Sequence, residues 1–157
     1  MDHAIAYCNP DSFCGPISTL TPLPTGEILL VFREAKWRGH LTHKDPSTRT
    51  SLLRTADQGD TWYSHVTPDP GGGNGVAMSR LSDGTLILAS FHWLFSPPEP
   101  LEALRNRPRF QPPDEQNPNY AGRLGLCVAG GGVHMTRSKT DGYTWEPMSR
   151  IPEPDGW

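Results

Sequence analysis

Apolar residues fall in short runs along this chain, and turn residues close nearly every run. Ile17–Leu23 alternates roughly, Pro24-Thr25-Gly26 turns the chain, and Glu27–Phe32 follows as a compact branched run. At that length the run reads as a buried strand rather than a helix. Val76–Leu81, Ser82-Asp83-Gly84 and Thr85–Phe91 repeat the arrangement: strand, tight glycine turn, buried strand ending in Phe.

A second pair of segments is sharper. Arg54–Trp62 and Arg137–Trp145 both fit R-[ST]-x-x-x-G-x-T-W. Gly26 and Gly84 are 58 residues apart, whereas Gly59 and Gly142 are 83 apart, so the second unit carries an insertion of 25. It falls at 93–122, where Pro97, Pro98, Pro100, Pro108, Pro112, Pro113 and Pro118 cluster. That stretch reads as a long loop with one short turn at Leu101–Leu104. Four short strands per unit at this period predict an all-β chain of antiparallel four-stranded β-propeller blades. The expected divisions are an N-terminal segment 1–16, a first blade 17–70, a second blade 71–149 with the insertion, and the start of another at 150–157. All lie in one partial domain.

Composition agrees with many closed strands. The 17 Pro and 16 Gly make up about a fifth of 157 residues, against roughly an eighth in an average chain, and exclude long helices. A net charge of -3 leaves no electrostatic footprint for nucleic acid. No run approaches the roughly 20 apolar residues of a membrane span. Met1–Ala4 has neither a basic nor an apolar leader pattern, so the default expectation is cytoplasmic, with no membrane partner. Cys8, Cys14 and Cys127 show no paired spacing, which argues against a disulfide framework or a cysteine zinc site. Gly71–Gly75 and Gly130–Gly132 read as loops or bulges.

The repeated motif has a structural logic. Its glycine turns the chain, Asp57 and Thr61 can satisfy turn amides, and Trp62 and Trp145 supply apolar area between neighbouring blades. Thr55-x-Asp57-x-Gly59-x-Thr61-Trp62 resembles the Asp-box, or BNR repeat, of the sialidase superfamily, whose usual form is S-x-D-x-G-x-T-W. The second copy, Ser138, Asp141, Gly142, Thr144 and Trp145, departs from it: Thr140 stands where the Asp belongs, with Asp141 beside it. The resemblance covers nearly all of 17–148. It implies six blades, a central site on one face, and boxes lying away from that site. It also implies a glycoside hydrolase acting on a carbohydrate ligand. The residues themselves carry no phosphate loop or dinucleotide fingerprint and only a weak loop spacing, His40-x-x-His43 with Asp45, for a metal, so no cofactor and no metal are expected. At roughly 40–50 residues per blade, six blades need on the order of 250–300 residues. This chain therefore holds about two, and further blades or a partner chain must close the fold.

The resemblance also implies roles. Val31-Phe32-Arg33-Glu34 resembles the family strand L-L-A-F-A-E-x-R, which precedes an arginine and an aspartate acid/base. Arg38 then fills the carboxylate-binding role and Asp45 the acid/base role, with Arg33 and Glu34 as further catalytic candidates. His40, His92 and Trp93 are candidate substrate contacts. The family's Tyr–Glu nucleophile pair would lie in later blades. One position departs: Phe13-Cys14-Gly15-Pro16 stands where the family has F/Y-R-I-P. A neutral Cys14 thiol cannot make the bidentate carboxylate contact of an arginine. A non-catalytic propeller that binds glycan or protein is therefore the alternative.

Overall fold

A computed structural model describes residues 5–39, 44–64, 68–69, 73–98, 102–113 and 120–152. The chain is all-β, built from two antiparallel four-stranded sheets in sequential order. The first holds β1 (Ser12–Pro22), β2 (Ile28–Lys36), β3 (Arg49–Thr55) and β4 (Tyr63–Ser64). The second holds β5 (Gly73–Arg80), β6 (Leu86–Ser96), β7 (Cys127–Ser138) and β8 (Ser149–Arg150). Two single helical turns, α1 (Glu102–Arg105) and α2 (Tyr120–Arg123), stand between β6 and β7. Among the described residues no helix is long and apolar enough to cross a membrane.

Two segments are more ordered than their composition predicts. β1 starts at Ser12 rather than Ile17, with a bulge between Cys14 and Ser18. Pro16 has no N–H to give a ladder, but β1 is an edge strand, where a bulged proline is tolerated. Residues 12–16 thus belong to the first sheet and not to a separate N-terminal segment. In the proline-rich stretch, β6 and β7 stay paired out to Ser96 and Cys127. Gln111 and Val128 exchange backbone hydrogen bonds of 2.7 and 2.9 Å. Leu104, Cys127 and Ala129 form a small core there with Leu94 and Phe110. The prolines therefore punctuate a packed excursion rather than a plain loop.

The sheets stack through alternate side chains. Leu29 and Val31 of β2 and Leu52 of β3 share one core with Val76 and Met78 of β5 and Leu86 and Leu88 of β6. Leu23, Trp145 and Met148 complete it. Burial of these aliphatic faces, at roughly 1.5–3 kcal/mol per large side chain, is the main force between the sheets.

Each repeated motif closes a turn. In the first, Thr55 Oγ1 accepts from Gly59 N at 2.9 Å, Asp57 accepts from Thr61 N at 2.9 Å, and Thr61 Oγ1 donates to Asp57 at 2.6 Å. Thr61 and Thr55 together hold the Asp57 carboxyl at about 2. In the second, Ser138 Oγ accepts from Gly142 N at 2.9 Å, and Thr140 Oγ1 accepts from Thr144 N at 2.8 Å. Thr140, not Asp141, therefore takes the oxygen role of the first box. Trp62 and Trp145 each donate Nε1 to the carbonyl of the box glycine at 3.0 Å. The turns pass through paired left-handed residues, Gln58 then Gly59 and Asp141 then Gly142.

Arg54, the first residue of the first motif, reaches across to the second. It is 1% exposed, donates Nη1 to Glu27 at 2.9 Å and Nη2 to the Asp141 carbonyl, and lies 4.1 Å over the Tyr143 ring. A Cβ on Gly142 would come within 3.1 Å of Leu29, so the turn also needs glycine for close approach. Arg137 is the equivalent residue of the second motif; it is 54% exposed and pairs with Glu146 of its own unit. Replacing Arg54 with Ala strands Glu27 and the Asp141 carbonyl. We expect a loss of about 3–5 kcal/mol in urea unfolding, against about 0.5 kcal/mol or less for Arg137→Ala. Equal losses would exclude the cross-sheet role of Arg54.

Candidate functional site

The strand register sets two ends to the sheet pair. Ile28 opposes Thr55 at the end with the box turn, and Glu34 opposes Arg49 at the other. In the second sheet Leu86 opposes Ser138 beside its box, and Ser96 opposes Cys127 at the far end. Most candidate site residues lie at the end away from the boxes.

Arg33 and Glu34 are neighbours on β2 and so face opposite ways. Arg33 is buried toward the second sheet, where Nη2 donates to Thr48 Oγ1 at 3.2 Å. Burial lowers its pKa, partly offset by Asp45. Asp45 is wholly buried and accepts from Ser47 N at 2.9 Å, Ser47 Oγ at 2.8 Å and Arg38 Nε at 3.4 Å. Burial pushes its carboxyl up, but these partners outweigh burial and leave the pKa below the ordinary value. Arg33, Arg38 and Asp45 thus come together. A general acid needs a pKa near working pH, and Asp45 is held the other way.

Glu34 lies on the opposite face in a separate network. It accepts from Tyr7 OH at 2.6 Å, Ser51 Oγ at 2.7 Å and Arg49 at 2.9 and 3.1 Å, beside a cleft of about 310 Å³ lined also by Asp11, Ser12, Lys36 and Ser47. Burial again raises its pKa, but hydrogen bonds from Ser12, Tyr7, Ser51 and Arg49 prevail and lower it to about 2. Tyr7 is raised by burial and by Glu34, so its phenol is not activated as a nucleophile.

His92 meets Asp69, a buried residue that the sequence pattern hides inside Pro68-Asp69-Pro70. Thr50 N donates to the Asp69 carbonyl at 3.1 Å, tying it to β3. Its carboxylate accepts from Ser90 Oγ at 2.7 Å and His92 Nε2 at 2.8 Å, tying it to β6. Ser90 Oγ also lies 3.0 Å from His92 Nε2. A Ser–His–Asp relay needs both ring nitrogens, one for each partner; here one nitrogen faces both, so the cluster is a staple. His134 stacks on His92 with ring centroids 4.1 Å apart, and burial lowers its pKa.

Trp93 lies two residues beyond Phe91 on β6, so the two share a face and meet edge-on at 5.0 Å; the bulge in the β6–β7 ladder falls on β7, at Gly131. Lys44 Nζ lies 4.5 Å over Trp93 and donates to Gln111 Oε1 at 2.5 Å; Arg109 lies 5.2 Å over Phe91. Burial, then the Arg109 charge, lowers the Lys44 pKa. Both cations sit on left-handed backbone, φ 53° and 57°, a conformation that costs a non-glycine residue of order 1–3 kcal/mol and gathers at ligand clamps. His40 lies outside the described residues. Cys14 is exposed at the surface, and partial desolvation by its neighbours, then the Glu34 charge, raise its pKa. Among the described residues no three His, Cys, Asp or Glu group to hold a metal.

No protein-family model and no curated protein matches the chain. Among solved structures it is similar to a protein of unknown function from Dyadobacter fermentans, at 24% identity and a TM-score of 0.76. The match covers 96% of this chain and 40% of that one. At that identity the likeness speaks to the fold alone.

The Glu34 network makes stability depend on acid. Its folded pKa, about 2, lies below the ordinary 4.5, so its contribution is complete above the unfolded value and drains away as pH falls toward 2. The shift corresponds to roughly 3 kcal/mol. We expect Glu34→Gln to flatten the fall in unfolding free energy over that window, leaving the slopes of the other lowered carboxyls, Asp45, Asp57 and Asp83. Parallel curves for the two proteins would show that Glu34 is not so held.

Proposed function

We propose that this chain forms two blades of an Asp-box β-propeller of sialidase-superfamily type, and that the strand ends opposite the boxes bind a carbohydrate. The blade reading draws on the two sequential four-stranded sheets, their stacked aliphatic faces and the paired box turns. The observation that carries the binding reading is the shelf of Lys44 on Trp93 and Arg109 on Phe91, with Gln111 beside it. Half-buried aromatic rings with cationic hydrogen-bond donors lying over them suit a sugar, which has C–H faces and a hydroxyl rim. Binding without hydrolysis is favoured because Glu34 and Asp45 are both stabilised as carboxylates.

A second reading, a glycoside hydrolase, draws on the convergence of Arg33, Arg38 and Asp45. An oligosaccharide array and a panel of chromogenic glycosides separate the two. The binding reading expects retained oligosaccharide, no chromophore release, and a loss of about tenfold in affinity, about 1.4 kcal/mol, for Trp93→Ala. Turnover that Asp45→Asn abolishes would establish the hydrolase instead.

A further inference from the structure

At the aromatic shelf a ligand meets charge as well as ring. Lys44 Nζ lies 4.5 Å from the Trp93 ring centroid and the Arg109 guanidinium 5.2 Å from that of Phe91, and the two rings are 5.0 Å apart. Adjacent rings thus hold one cation each. Among the described residues no carboxylate pairs with either cation. Asp45, next to Lys44 in the chain, turns instead to Ser47 and Arg38, and the side chain that Lys44 does reach, Gln111, is neutral. Arg109 acts on Lys44 as a like charge and helps to lower its pKa. Both residues also sit on left-handed backbone, so the pair is held against strain as well as repulsion. The same excursion supplies further cations. Leu104–Gln111 carries Arg105, Arg107 and Arg109 at alternate positions, all exposed, and no acidic residue.

We propose that the shelf binds an acidic polysaccharide: Lys44 and Arg109 take a carboxylate or sulfate group of one sugar residue, and Arg105 and Arg107 meet further anionic groups along the polymer. An anion against Lys44 and Arg109 relieves their repulsion and accepts charge-assisted hydrogen bonds from both. The guanidinium offers paired N–H donors to two oxygens of either group, and the ammonium adds a point charge. Trp93 and Phe91 position the two cations, and Gln111 holds the lysine in place. The inference deepens the carbohydrate reading and rests on it: that reading asks for a sugar, and the uncompensated cations add that the sugar is charged.

Titration calorimetry with two matched pairs of polymers tests this: polygalacturonate against its methyl ester, and dextran sulfate against dextran. At least one acidic polymer is expected to bind about tenfold or more tightly than its neutral counterpart, and to weaken as salt rises from about 50 to 500 mM. The pair that responds distinguishes carboxylate from sulfate. Lys44→Gln and Arg109→Gln are each expected to weaken that binding about tenfold. Arg80→Gln removes an exposed arginine at the box end and is expected to leave it unchanged; circular dichroism checks the folding of all three variants. Equal affinity for a neutral and an acidic polymer, or equal losses in the three variants, would overturn the inference and leave the carbohydrate reading standing. Polyglutamate binding as tightly as the acidic polysaccharides would overturn it as well, by showing a surface for any polyanion. Binding of no carbohydrate, acidic or neutral, would remove both readings together.

Discussion

One buried guanidinium fixes how the two sheets meet. Arg54 leaves β3 and satisfies the second box turn through the Asp141 carbonyl, while Glu27 balances its charge. Burying a cation carries a large desolvation penalty unless it is paired and hydrogen-bonded. The alignment in which Arg54 finds its carboxylate, its carbonyl and the Tyr143 ring together is therefore selected over sliding alternatives that the aliphatic core alone would tolerate. Apolar burial supplies the attraction between sheets, and Arg54 supplies the register.

Locking one end has consequences at the other. Strands pinned at the boxes carry Arg33, Thr48, Asp45, Asp69 and Ser90 into the space between the sheets at the opposite end, all buried. Arg33 donates to Thr48, Ser90 to Asp69, and Ser47 and Arg38 to Asp45; such partners, charge-assisted where a carboxylate or guanidinium takes part, are the condition for keeping polar groups out of water. The same bonds hold Asp45 ionised. A rigid polar framework next to an aromatic shelf is suited to presenting a binding surface, and less suited to passing protons.

Much of this was legible in the residues. The two glycine turns, the branched runs and the paired R-[ST]-x-x-x-G-x-T-W motifs carry local rules that do not depend on distant partners, and they mark out both sheets. The convergence of Arg33, Arg38 and Asp45 follows from one short connection between paired strands. What was hidden depends on long-range contacts. Asp69 sits between prolines that read only as a turn, yet it joins both sheets. Arg33 and Glu34 look like one cluster along the chain but part at the pleat. The role of Thr140 emerges only from the turn's hydrogen bonds, because a hydroxyl can replace one carboxylate oxygen there. The extension of β6 and β7 into the proline-rich stretch rests on Gln111 and Val128, which nothing in local composition pairs.

Arg54 couples the first sheet to the second box turn. A double-mutant cycle of Arg54→Met and Tyr143→Ala, read by denaturant unfolding, measures that coupling across the sheets. The double mutant is expected to be less destabilised than the sum of the singles, by about 1 kcal/mol or more. Additivity within about 0.3–0.5 kcal/mol would contradict it.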